Sequence, residues 1–339
     1  MSRPPAPRAW PVLAAVAAAA LVAVVAAPTY YVNLAVLALV YSLLAMSLNL
    51  LMGYVGLTSF GHAAFFGAAA YAAGILSLRY GVAFWPAAAA GVAAGTLLGA
   101  AYGLLVSGSR GVYFLLITLA LGQVTWGLTL RWVSMTGGDN GLPGIARPAL
   151  WVGWPLDDVR GYYLFALIVV GVCVAMLALV VASPFGHALR GIRESPSRMR
   201  TLGYPVWGYA YAAFVVSALF ASVAGVLYVY YNGFVSHQNM QIAVSAQVAL
   251  MVIVGGAGSF WGPAAGATLL VFMQNLLSSV TQRWMTVLGL LYIVVVLYQP
   301  SGLAGLVGRT RRRRPGPAEG RAAAPAVLPT AGDRHEWDR

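Results

Sequence analysis

The chain has 339 residues and a formal net charge of +12, yet 60% of its residues are hydrophobic and only 8% are charged. A soluble domain carries about 25% charged residues, so lipid must be the solvent for most of this chain. The positive charge does not mark a nucleic-acid binder: it gathers in Arg309 and Arg311 to Arg314, and between Arg190 and Arg200, beside long apolar runs where the positive-inside rule places arginine.

A membrane span needs about 20 apolar residues. The N-terminal stretch MSRPPAPRAWPVLAAVAAAALVAVVAAP imitates a signal peptide. Its run from Trp10 to Ala27 is long for one, and more apolar segments follow, so it is read as an uncleaved first span behind a short cytoplasmic segment, residues 1–9. The next spans are expected at Asn33 to Met52, Ala63 to Leu78, Phe84 to Val106, Val112 to Trp132 and Tyr162 to Ala182. A charged island then interrupts the pattern. Beyond it come Tyr209 to Tyr231, Ala243 to Val254, Ala264 to Ser279 and Trp284 to Leu297. The fold class is an all-α polytopic membrane protein with about ten transmembrane helices; several are short or broken by glycine, so the range is eight to ten. The membrane domain covers 10–307, and an Arg/Pro/Ala-rich tail, 308–339, is expected to be disordered.

Charge orients these elements. With the island and the tail both cytoplasmic, an even number of spans separates them, and the N-terminus and Arg110 fall on the same side. The loop from Val133 to Gly161, with Asp139, Asp157 and Asp158 but also Arg147 and Arg160, falls outside.

Three glycine-rich stretches stand apart from lipid-facing helix. SLNLLMGYVGLTSFGHAAFFG, Ser47 to Gly67, carries Asn49, Thr58, Ser59 and His62 among its glycines. A broken helix at membrane depth survives only inside protein or beside a water-filled path, so this stretch should face the bundle interior, as a translocation-path or packing motif together with Gln123. Ser59 and His62 share a helical face, but no orienting carboxylate lies near in sequence; a hydrogen-bonded, packed His62 is preferred to a nucleophile and base. TGGDNGLPG, Thr136 to Gly144, lacks the spacing of a phosphate loop and is read as an external turn. VGGAGSFWGPAAGA, Val254 to Ala267, is read as a tight turn and helix start.

Other chemistry is excluded by composition. The chain has no lysine, so it has neither a Walker A lysine nor a Schiff-base amine. Its single cysteine, Cys173, rules out an internal disulfide and a Cys-pair zinc site; no metal site and no catalytic constellation are expected. The intramembrane polar residues Asn49, Gln123, Gln247, Gln274 and Asn275 are uncharged, and no span holds an acidic pair, which argues against ion-coupled secondary transport.

The island, SPFGHALRGIRESPSRMRTLGYP, spans Ser183 to Pro205. No Asp, Glu, Lys or Arg occurs from Gly161 to Leu189, nor from Thr201 to Gln282. Ser183-Pro184 and Ser195-Pro196 each pair a helix cap with proline at the first helical position, and Gly203 with Pro205 forms a stop. Two short amphipathic helices are expected, with Leu189, Ile192, Met199 and Leu202 forming small apolar faces beside Arg190, Arg193, Glu194, Arg198 and Arg200. Such a loop can lie on anionic membrane lipid or seat in a groove of a soluble partner.

Taken together, LNLLMGYVGLTSFGHAAFFGAAAY, RGVYFLLITLALGQ, TGGDNGLPGI, SPFGHALRGIRES, VGGAGSFWGP and YQPSGLAGL occur in an order that resembles the permease subunits of branched-chain amino-acid ABC importers, of the LivM type. The resemblance covers about residues 30 to 307. It implies a bacterial inner-membrane permease, not an enzyme, working by alternating access with a second homologous permease, two ABC ATPase subunits and a periplasmic or extracytoplasmic substrate-binding protein. It implies no cofactor in this chain, ATP and Mg being used by the partner ATPases. The island is similar to the coupling loop that engages those ATPases, and Arg190, Arg193, Glu194, Arg198, Arg200 and Gly203 are its candidate residues. The usual "EAA…G" pattern is incomplete: Ser197-Arg198-Met199 replace the triplet, while Gly203 is kept. Leucine, isoleucine and valine are the expected substrates, with urea, amides or other small organic solutes as the alternative.

Overall fold

The computed structural model describes residues 27–147 and 158–283, with 286, 287, 289, 290, 302 and 303. The expected first span, except Ala27, and the 308–339 tail lie outside the described residues, as does most of the last expected span. Each remaining span corresponds to one helix, with ends shifted by a few residues. These are α1 (Thr29–Asn49), α2 (His62–Tyr80), α3 (Phe84–Val106), α4 (Gly111–Arg131), α6 (Val159–Ala182), α9 (Val206–Asn232), α10 (Ile242–Gly255) and α11 (Gly262–Val280). A short helix α5 (Val133–Thr136) follows α4, and the island folds as α7 (Pro184–Glu194) and α8 (Pro196–Thr201). Among the described residues seven helices are long and apolar enough to cross a membrane, counting α1 with the π-helical turn Leu50–Val55 that continues it. The eighth, α10, has 14 residues, or about 21 Å at 1.5 Å per residue, short of the ~30 Å hydrocarbon layer.

Burial separates central helices from peripheral ones. The most apolar window of α1 is 78% buried, that of α9 67%, and that of α4 only 22%. Helix α1 is the hub, touching α6, α9, α10 and α11, while α2, α3 and α9 form a tightly packed triplet. Lipid supplies no hydrophobic drive between helices, so close backbone approach must supply the packing energy. Helix α3 achieves it with Gly91, Gly95, Gly99 and Gly103, one per turn and all buried. A Cβ on Gly95 would lie 2.3 Å from Ser222 Oγ and 2.7 Å from the Phe65 carbonyl oxygen; one on Gly99 would lie 2.2 Å from Ala218 Cβ. This period-four ladder is readable in AAAAGVAAGTLLGAAYGLLV, and the sequence reading missed it.

The two ends of the bundle are distinct. At one end, Ser107 to Gly111 lies beside Ile192, Arg193 and Pro196 of the island. At the other, the Thr136–Gly144 stretch forms a turn whose Gly137, Gly138, Gly141 and Gly144 have positive φ. There Leu142 and Pro143 (β1) pair antiparallel with Val235 and Phe234 (β2). The turn expected for TGGDNGLPG is present, at the end opposite the island.

Candidate functional site

Two features that the sequence singled out converge on one region: the break after α1 and the charged island. Both α1 and its π-helical turn are buried, and Gly56 takes a left-handed conformation at φ 83°. Leu57 N–H reaches back to Leu51 O at 3.0 Å, and the chain then runs without regular structure to Gly61. Such backbone must find partners inside the protein. Phe60 N–H donates to Thr118 Oγ1 (3.2 Å), Gly61 N–H to Ser59 Oγ (3.2 Å), and Ala63 N–H to Ser245 Oγ (3.1 Å). Threonine and serine of α4, α10 and the break itself thus replace the missing helix bonds. Neither Thr118 nor Ser245 was singled out from the sequence, because a lone hydroxyl in an apolar run carries no positional signal.

His62 opens α2 and is fully buried. Its Nε2 lies 2.7 Å from Ser217 Oγ on α9, and Ser217 donates its only O–H to Ser47 O on α1. The imidazole therefore donates from Nε2, and the chain His62–Ser217–Ser47 ties α2, α9 and α1. Ser59 Oγ is occupied by Gly61 N–H, so the packed reading of His62 fits, and no nucleophile–base contact joins the pair. Ser217→Ala removes the middle of this relay, leaves the buried His62 Nε2 without its partner and takes one donor from Ser47 O. At about 1–3 kcal/mol for the stranded group, it should lower the thermal midpoint in detergent clearly, whereas Ser278→Ala, on an exposed stretch of α11, should leave it unchanged.

The remaining candidates are placed as follows. Asn49 is buried at 2% exposure; its Nδ2 donates to Ser259 O (2.8 Å) and its Oδ1 accepts from Gly258 N–H (2.9 Å). It therefore clamps α1 to the turn before α11. Thr58 is half-buried in the break, and Gln123 is half-buried on α4. Gln247 donates to Gln274 Oε1 at 2.9 Å, joining α10 to α11.

The island folds as its two Ser-Pro pairs imply. Ser183 Oγ accepts from Gly186 N–H and Ser195 Oγ from Arg198 N–H, both at 3.4 Å, and each proline occupies the first turn. Gly203 has φ 86°, which ends α8. Leu189 and Ile192 are buried and Met199 is half-buried against Gly191, but Leu202 is exposed, departing from the expected apolar face. Phe185 stacks on Tyr209 with ring centroids 5.5 Å apart, seating the loop on α9.

The arginines divide into two groups. The Arg190 guanidinium lies 5.1 Å from the Tyr54 ring centroid, and Arg193 Nη1 donates to Gly53 O. Both reach the π-helical turn and, with Glu194 and Gly258, line a cavity of about 400 Å³. Arg198 and Arg200 are exposed on α8. Burial, and then repulsion from Arg200, holds the Arg110 pKa below the ordinary arginine value. Positive charge is therefore crowded on this face: Arg110, Arg190, Arg193, Arg198 and Arg200 are all exposed.

A helical bundle of seven membrane-length apolar helices among the described residues, with an irregular buried break after α1 and a structured cationic loop beside it, defines a polytopic integral membrane protein. The sequence profile described as "Branched-chain amino acid transport system / permease component" matches residues 30–297, and the chain belongs to that family. It is 31% identical to the LivM "high-affinity branched-chain amino acid transport system permease protein" of Salmonella typhimurium and to that of Escherichia coli, in each case over 86% of this chain and 74% of the relative. It is also 25% identical to the LivH permease protein of Escherichia coli, over 78% of this chain and 91% of the relative. No solved structure matches the chain. The expected resemblance is thereby borne out, and the protein is a permease component, not an enzyme.

Proposed function

We propose that this chain is one of two homologous permease subunits of an ATP-driven importer of the bacterial inner membrane, and that it carries leucine, isoleucine and valine. The observation that carries the reading is the seated 183–205 loop. It is capped at both helices, faces outward with Arg198 and Arg200, and is rooted in the broken helix α1. Two ABC ATPases would dock on that loop in the cytoplasm, placing Gly203 and both chain termini on the same side. A substrate-binding protein would deliver cargo at the opposite end, where Thr136–Gly144 lies. Energy then enters from partner chains: ATP and Mg act there, and this chain needs no cofactor of its own. The similarity to both LivM and LivH supports a pairing of related permeases, since the two proteins are relatives of this one chain.

Reconstitution tests the reading. The chain, its companion permease, the ATPases and the binding protein in proteoliposomes should accumulate labelled leucine only while ATP is hydrolysed. Uptake that continues with a hydrolysis-dead ATPase would sink the importer reading. ATP-dependent uptake of urea or an amide in place of leucine would replace the substrate.

A further inference from the structure

Arg193 occupies the last turn of α7; the residue is exposed, but its side chain lies along the break and its Nη1 donates to Gly53 O. A Cβ on Gly56 would lie 3.1 Å from Arg193 Cγ, and one on Gly258 would lie 2.8 Å from Arg193 Nη1 and 3.1 Å from Gly53 O. The arginine thus crosses Gly56 and ends between Gly53 and Gly258. Gly53 O is available because Leu57 N–H bonds to Leu51 O instead. The same glycine lies against the Asn49 clamp: a Cβ there would be 2.0 Å from Asn49 Oδ1 and 2.4 Å from Gly258 N. One side chain of the loop therefore touches two elements at once, the broken end of α1 and the turn that starts α11. Arg198 and Arg200, on α8, do neither.

We propose that Arg193 is a positioning residue that carries movement of the 183–205 loop into the membrane, by holding Gly53 and Gly258 to α7 as one unit. This rests on the reading of the loop as the ATPase dock, but assigns Arg193 to transmission and leaves docking to α8. The guanidinium is hydrogen-bonded to Gly53 O and packed close to Gly258, so a shift of α7 moves against both.

The test uses the complete importer with Thr58→Cys as a reporter in the break. Vanadate trapping of the ATPases should change the maleimide labelling rate of that cysteine at least threefold when Arg193 is present. With Arg193→Met the ATPases should stay bound and hydrolyse ATP, while the labelling change disappears; Arg193→Lys should recover part of it. Arg193→Gln, which keeps an amide donor on a shorter side chain, should also lose the change, and it decides the question if Arg193→Met fails to fold. A normal labelling change in Arg193→Met, a reporter silent in the parent complex, or loss of ATPase binding as the primary defect would each overturn the proposal. A bismaleimide cross-link from Ser197→Cys to an ATPase checks the docking reading separately: its absence would overturn that reading whatever Arg193 does.

Discussion

Gly95→Leu should severely damage the buried contact of the α2–α3–α9 triplet. The Cβ alone would lie 2.3 Å from Ser222 Oγ and 2.7 Å from the Phe65 carbonyl oxygen, and the carbonyl belongs to a rigid helix that cannot give way. The isobutyl group would force α3 away from α2 and α9 together, undoing the neighbouring contacts of Gly91 and Gly99. Overpacking costs about 1–3 kcal/mol where side chains can rearrange; here backbone must move, so the loss should exceed that range. Size-exclusion chromatography in mild detergent should show aggregate in place of the parent peak, and Gly95→Ala should already lower the thermal midpoint. Gly127→Ala is the control: a Cβ there meets nothing within 4 Å, and its profile should match the parent. A folded, monodisperse Gly95→Leu protein would contradict the packing of the α2–α3–α9 triplet.

Asn49→Leu should have the largest effect on transport among the buried polar positions. It keeps the volume and removes both hydrogen bonds to the 258–259 turn, leaving Gly258 N–H and Ser259 O without their partner. About 1–3 kcal/mol per stranded group is enough to release the turn from α1. Since ~1.4 kcal/mol corresponds to a tenfold shift in a population, leucine uptake by the reconstituted importer should fall at least tenfold. Asn49→Asp keeps the acceptor for Gly258 N–H but sets a carboxylate against Ser259 O, and should be nearly as poor. Uptake that survives Asn49→Leu would show that the clamp is dispensable for coupling.

Much of this was legible in the sequence because lipid is an unforgiving solvent. Apolar runs near 20 residues can satisfy their backbone only as helices, so the spans from α1 to α11 emerged with ends in error by a few residues. The island was legible for another local reason: Ser183-Pro184, Ser195-Pro196 and Gly203 encode helix starts and a stop within a few bonds of themselves. The break around Gly53 to Gly61 was visible as a glycine cluster with polar residues, though not what repairs it. Thr118, Ser217 and Ser245 come from three different helices, and no spacing rule relates them to Phe60, His62 or Ala63.

The arginines show the same boundary most clearly. From sequence, Arg190, Arg193, Arg198 and Arg200 form one equivalent charged group, and the resemblance to importer permeases gave them one shared task. Only the fold divides them, because α7 lies under the π-helical turn and α8 does not. Composition, hydropathy and capping are properties of a chain and its solvent, and they determined the class of protein, its helices and the existence of a structured loop. Which carbonyl an arginine meets depends on how those helices cross, and that is decided by close contacts between residues far apart in the chain, such as Gly53 against Gly258 and Gly95 against Ser222.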